Sequence, residues 1–269
     1  MPELLLGTKF IKTDRPAFVM GIINATPDSF FSESRGGIQR ALKLIEDGAD
    51  ILDIGGESTR PGFEEISAEE EINRIIPVIR AVRKVSSIPV SVDTRKADVL
   101  KAAVDAGADV LNDVSAMEDD EKMAEVAAAA GVSVILMHRF NGSEESRKTN
   151  PAVVEEVSSY LESRVAVAVG AGIPLNKIIV DPGIGFGKTY EENLDLIRNT
   201  DRLCSARFPV LMALSRKRCI GTMTGKNVEN RMAGTIAADI LSVQKGAIMV
   251  RVHDVAETVD AMNVMKYLK

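Results

Sequence analysis

Polar residues able to bind and react stand at the ends of short apolar runs. Asn24 follows "FVMGII" (18–23), Asp93 lies in "PVSVDT" (89–94), Asn112 in "DVLNDV" (109–114) and Asp181 in "KIIVDP" (177–182). Lys217 belongs to "SRKR" (215–218) at the end of "FPVLMALS", and Arg251 and His253 close "AIMVRVH" (247–253). The set sorts by what each member offers. Asp93, Asn112 and Asp181 present acceptors, and Asn112 also a donor, which suits the N–H edge of a planar, amidine-like heterocycle. Lys217, Arg251 and His253, with Asn24, present donors for an anion such as a phosphate or pyrophosphate. Together they describe a site for a heterocycle with a phosphorylated arm. A single aspartate in such a place reads first as a helix N-cap or turn residue. The whole set does not, because Arg and Lys recur at helix starts, where the helix dipole disfavours them.

These residues meet only if the fold collects strand ends. Eight apolar runs, the six or so above plus "DILDIG" (50–55) and "VSVILMH" (132–138), alternate with helical patterns such as "IQRALKLIEDGA" and "KADVLKAAVDAGA". The runs lack a helical period and are rich in Val, Ile and Leu, as strands buried on both faces are. Several helical patterns stop at glycine, among them Gly48, Gly107, Gly131, Gly172 and Gly246. "SAEE" (67–70) reads as a capping box. Eight strands alternating with helices over about 250 residues predict an α/β fold, the (β/α)8 TIM barrel, whose strand C-termini share one face. A doubly wound sheet is the competitor and has fewer strands in a chain this long. The opening "ELLLGTKFIKTDRP" predicts a short N-terminal β-hairpin, a plug for the barrel's lower end. No linker or composition break divides the chain, so residues 1–269 read as a single domain.

Composition narrows the function. The chain is 45% hydrophobic and 27% charged, with net charge −6 and only 4% aromatic residues. Without a basic run it has no electrostatic footprint for nucleic acid. No apolar stretch is long enough to span a membrane, and the start lacks a secretory pattern. Two cysteines and two histidines exclude a four-thiolate or His-rich zinc site. A reducing, cytoplasmic setting is the simplest expectation. "PGIGFGKT" resembles a P-loop, but the first glycine of that motif falls on Pro182, so a phosphate role for this loop fails. Its glycines are expected to let the loop hug a ring and a second substrate.

The ordered set "NATPDSF", "DIGGESTRPG", "SVDT", "NDVSA", "DPGIGFGKT", "LSRK" and "RVHDV" resembles the motifs of dihydropteroate synthases across nearly the whole chain. That family joins 7,8-dihydropterin-6-ylmethyl diphosphate to 4-aminobenzoate, giving 7,8-dihydropteroate and pyrophosphate. The resemblance implies that Asp93, Asn112, Met137, Asp181, Lys217 and Arg251 bind the pterin, and that Asp93, Asp181, Lys217 and Arg251 serve catalysis. It implies a diphosphate site at Asn24, Arg251 and His253, with Mg2+ bridging Asn24 and phosphate oxygens. Thr59, Arg60, Pro61 and Phe186 are the implied 4-aminobenzoate contacts, in an acceptor site that is the family's sulfonamide target. Phe30 and Phe31 are implied to cover a ligand. A homodimer through late helices, around 227–245, also follows from the resemblance.

The sequence departs from the family pattern in three places. The first loop, "FFSES", runs as if one residue longer, which places Glu33 where an aspartate is usual. After Met-His the chain reads "RFNGSEESRKTN" in place of a Gly-Pro turn. Arg218 stands where the family has serine, and a side chain turned inward there would pair with the acceptor carboxylate. Two alternatives keep the pterin pocket. A methyltetrahydrofolate-dependent methyltransferase has no use for the diphosphate motifs, and a non-catalytic pterin-binding paralogue is supported only by the departures.

Overall fold

The computed structural model describes residues 1–25, 36–57, 65–140, 142, 146–205 and 208–268. Phe30, Phe31, Glu33, Thr59, Arg60 and Pro61 lie outside them. The chain opens with the expected hairpin, β1 (Glu3–Leu6) against β2 (Lys9–Lys12), in antiparallel register from Glu3↔Lys12 to Leu6↔Lys9. Eight parallel strands follow: β3 (Phe18–Asn24), β4 (Ile51–Gly55), β5 (Val90–Asp93), β6 (Val110–Asp113), β7 (Ser133–Met137), β8 (Ile178–Asp181), β9 (Leu211–Met212) and β10 (Met249–Val252). Their order is β8-β7-β6-β5-β4-β3-β10-β9. A parallel bridge between Val180 and Val210 brings β8 to the approach of β9 and closes the ring.

Helices link the strands: α1 (Gly36–Glu46), α2 (Ala68–Val85), α3 (Ala97–Ala106), α4 (Met123–Ala130), α5 (Val153–Gly170), α6 (Tyr190–Arg198), α7 (Thr200–Cys204), α8 (Arg218–Thr224), α9 (Met232–Gln244) and α10 (Val255–Tyr267). Strand side chains alternate between two cores, as a period of two requires. Phe18 and Met20 enter the barrel interior, whereas Val19 and Ile23 face the helices. Leu4 and Leu6 of the hairpin join the interior cluster with Ile51, Val110, Ile135 and Leu211. Ser133, at the lower end of β7, fastens the plug: its Oγ accepts from Gly7 N (3.0 Å) and donates to Leu5 O (2.7 Å).

Three local readings change. β9 is two residues long, not eight, because the chain turns at Ser215–Lys217, where Lys217 N donates to Leu214 O and Arg216 takes φ +58°. The capping box at Ser67 is half made. Ser67 accepts from Glu70 N, but the Glu70 carboxylate pairs with Arg74. A complete capping box stands instead at Thr189 and Glu192, opening α6 directly after the glycine-rich loop.

Candidate active site

The parallel ladder sets the site's levels. Gly55 pairs with Asp93, Asp93 with Asn112, and Met137 with Asp181, so these residues finish their strands side by side at the upper mouth. Asp93, Asn112, Met137 and Asp181 are all buried, while Asn24 is exposed at the end of β3.

Arg251 is the centre of the charge arrangement. Its Nε donates to Asp53 Oδ2 (2.6 Å) and its Nη2 to Asp93 Oδ2 (2.8 Å). Asn112 Nδ2 donates to the same Asp53 oxygen (3.0 Å). Asp53 is fully buried, and its Oδ1 has no hydrogen-bond partner among the described residues. Asp53 thus joins the site although its sequence setting marks it only as a polar residue inside an apolar strand. The available signal was an ionisable group between Leu52 and Ile54, which is costly to bury without a counter-charge. The Arg251 guanidinium, expected to bind the pterin and the diphosphate, is here held by two carboxylates.

Burial governs the titrating groups. It raises Asp93 to about 7, with Asp53, Glu71 and Asp113 adding to the rise and Arg251 opposing it. Burial also raises Asp181, against the pull of the Gly183 N–H on Oδ1 (2.7 Å) and of Lys217. Lys217 is lowered to about 8 by burial, with Asp181 acting the other way. Its Nζ sits 4.2 Å from the centre of the Phe186 ring, a cation–π contact that brings two expected site residues together. His253 is lowered to about 4, by burial and then by Arg216 and Arg251, so it is neutral at pH 7. Ser215 Oγ accepts the His253 main-chain N–H (3.1 Å) and lies 2.9 Å from Nδ1. A neutral His253 brings no positive charge of its own to an anion.

Arg216 holds this corner. It occupies the left-handed region, at a cost of order 1–3 kcal/mol. Its Nη2 and Nε reach Asp254 at 2.6 and 3.2 Å, and its main-chain N–H donates to Thr235 Oγ1. Arg218 stands exposed at the first position of α8, next to Lys217. In "NDVSA" only Asn112 faces the site. The Asp113 carboxylate accepts from Ser115 N and Met117 N (each 2.8 Å), stabilising the positive φ of Ala116 and Met117.

The glycine-rich loop does not cradle phosphate. Lys188, where a P-loop would place its phosphate-binding lysine, is fully buried and bonded to backbone carbonyls. Gly183 has φ +69°, and a Cβ there would lie 1.8 Å from His138 O. Its freedom serves close approach to the neighbouring β7 loop. Gly185 lies against the Lys217 side chain, 3.3 Å from its Cδ to where a Cβ would stand.

A barrel mouth that gathers buried carboxylates with a guanidinium and a lysine defines the class. A family model described as pterin binding enzyme matches residues 20–253, and the chain belongs to that family. The relatives it is similar to are dihydropteroate synthases. The one from Bacillus subtilis is 45% identical over 258 residues, covering 91% of this chain and 88% of the relative. The Xanthomonas albilineans dihydropteroate synthase with 4-aminobenzoic acid superposes with a TM-score of 0.93 at 43% identity, covering 99% of this chain and 98% of the other. The same enzyme in complex with 7,8-dihydropteroate gives 0.89 at 41% identity, with 99% and 98% covered.

Proposed function

We propose that this chain is a dihydropteroate synthase, joining 7,8-dihydropterin-6-ylmethyl diphosphate to 4-aminobenzoate with release of pyrophosphate. The observation that carries the reading is the convergence of Asp181, Asn112 and Lys217 with the Asp53–Arg251–Asp93 cluster on one barrel mouth. Asp181 and Asn112 take the amino–pyrimidine edge of the pterin, and Met137 walls the pocket. Lys217 and Phe186 line its outer side. Arg251, His253 and Asn24 face the diphosphate. The acceptor then meets Phe186 and the Thr59–Pro61 stretch.

The chemistry is a dissociative substitution. The C–O bond to the diphosphate breaks, and its electron pair leaves with pyrophosphate. The dihydropterin delocalises the resulting cation, the neutral aryl amine attacks it, and the proton lost from nitrogen passes to water. Burial disfavours the charged form of Asp93 before the diphosphate leaves. A developing positive charge draws it toward the carboxylate, which stabilises that charge electrostatically. No general base is needed, because the aryl amine is already neutral when it attacks.

Mg2+ suits this donor set as an ion shared with the diphosphate. Among the described residues no group of three His, Cys, Asp or Glu side chains could hold a metal alone. Mg2+ is commonly bound by few protein ligands together with substrate phosphates. Asn24 would be its protein contact, and the ion would neutralise leaving-group charge. Asn24→Ala should raise the Mg2+ concentration for half-maximal turnover and weaken Mg2+-dependent pyrophosphate binding by calorimetry. Exposed Met223, Val228, Met232 and Leu241 around α8 and α9 support a homodimer, tested by sedimentation. Work in the cytoplasm accords with the small-molecule substrates, and among the described residues no helix is long and apolar enough to cross a membrane.

The deciding assay mixes the protein with the pterin diphosphate, Mg2+ and 4-aminobenzoate and follows pyrophosphate. Release that requires both organic substrates is expected. Pterin binding without release would make the chain a binding paralogue instead.

A further inference from the structure

Lys188 is a fully buried lysine whose partners are two backbone carbonyls, His138 O (3.1 Å) and Gly183 O (2.8 Å). Asp181 acts on it only through space. A buried ammonium bears a large desolvation cost, so its retention calls for a compensating role. The two residues it grips are the same two whose N–H groups hold Asp181. His138 N donates to the Asp181 main-chain oxygen (3.0 Å), and Gly183 N donates to the Asp181 carboxylate (2.7 Å). Lys188 therefore closes a ring of hydrogen bonds that runs from β7 through the Asp181 strand end and back through the glycine turn.

We propose that Lys188 is a positioning residue for Asp181: by holding the carbonyls of His138 and Gly183, it fixes the two residues whose own N–H groups, one peptide unit earlier, hold the pterin-binding aspartate. Gly183 shows how tightly the ring is drawn. Any Cβ there would fall 1.8 Å from His138 O and 3.2 Å from Lys188 Nζ, so the two carbonyls converge on the ammonium only over a glycine. Asn193 secures the other side, its Nδ2 donating to Lys188 O (3.2 Å) and Thr189 O (2.8 Å) while its Oδ1 accepts from Gly185 N (2.7 Å). The glycine-rich loop is thus a mount for Asp181, built on an interior lysine whose amine burial lowers to about 7. Lys217, on the pocket side of the same aspartate, faces Phe186 and is the lysine free to meet substrate.

This inference rests on Asp181 binding the pterin, and the test separates the two claims. Binding of 6-hydroxymethylpterin, which lacks the diphosphate, is measured by calorimetry for wild type, Lys188→Met, Asp181→Asn and the double variant, with inorganic pyrophosphate as the second ligand. Asp181→Asn should cost at least about tenfold in pterin affinity. An unchanged affinity in that variant would refute the assignment of Asp181 itself. Lys188→Met should lose about tenfold in pterin affinity while pyrophosphate affinity stays within about twofold. Added to Asp181→Asn, it should cost less than about a further twofold, because both act on one contact. Pterin affinity near wild type in Lys188→Met, equal loss for both ligands, or full additivity in the double variant would each overturn the positioning role. Should Lys188→Met not fold, Lys188→Leu, which also removes the N–H donors, is read by the same criteria.

Discussion

At the lower end of the barrel, Leu4 and Leu6 of the hairpin pack on Phe18, Met20, Ile51 and Val110, and Ser133 ties the hairpin down by bonding both Gly7 and Leu5. At the upper end the same strands finish in Asp53, Asp93, Asn112 and Asp181, buried around one guanidinium, with Asp53 Oδ1 lacking a partner among the described residues. One end is closed by hydrophobic area. The other stores unbalanced charge in a dry setting, where electrostatic contacts to a ligand are strongest. The contrast separates residues kept for stability from those kept for chemistry, and it can be broken in a stated order.

The largest effect belongs to Arg251→Met. It leaves Asp53 and Asp93 buried without their counter-charge, and breaking a buried pair costs about 3–5 kcal/mol. Chemical denaturation should show that loss, and pyrophosphate release should fall about a hundredfold or more as the anion contact goes. Asp53→Asn in the same background should recover part of the stability and none of the activity. A variant as stable as wild type would mean that the upper mouth carries no stored charge.

Asp93 gives the contrast a pH signature. Its folded value, about 7, lies above the ordinary carboxyl value of 3.8, so between those limits the folded protein holds a proton that the unfolded chain has released. Its stabilising contribution is complete below about pH 4 and is lost as pH rises through about 7. Asp93→Asn removes that slope. From pH 4 to 8 the melting temperature of wild type should fall relative to that of the variant. Parallel curves would show that burial does not govern this carboxyl.

The lower end should respond in the opposite manner. Ser133→Ala deletes the hydroxyl that bridges Gly7 and Leu5 and leaves a buried N–H with a lost acceptor, a cost of about 1–3 kcal/mol. Melting should register it, while kcat and both KM values stay within about twofold. A catalytic defect in Ser133→Ala would erase the division between the two ends.

What the sequence revealed follows the same division. Strands buried on both faces announce themselves as continuous apolar runs, so all eight and the plug were readable, as was the list of polar endings. Pairings between distant residues were not. Nothing in "DILDIG" says that Asp53 would meet Arg251, because a contact between residues 198 positions apart is set by barrel closure, not by local pattern. Lys188 was hidden by its resemblance to a phosphate-binding lysine, and only the crowding of Gly183 against His138 shows that it points inward. β9 was overestimated because apolar residues buried at a turn look the same as strand residues.

Arg218 is the smallest test and the one that touches the chain's own departure from its family. Its side chain is exposed at the first position of α8, beside Lys217, whose Nζ turns to Phe186. An exposed charge contributes about 0–1 kcal/mol to an ion pair, because water screens it and the side chain must be ordered to hold one geometry. Arg218→Ser should therefore change the KM for 4-aminobenzoate by less than about fivefold. Aniline, which lacks the carboxylate, reports whether even that small change is ionic. If Arg218 reaches the acceptor when both substrates are bound, the substitution raises KM for 4-aminobenzoate and leaves aniline alone. If it stays at the surface, neither moves. A large rise for 4-aminobenzoate alone would reverse the exposed reading and make Arg218 part of the mouth's charge set, so that an end built around Arg251 would have recruited a second guanidinium for the acceptor.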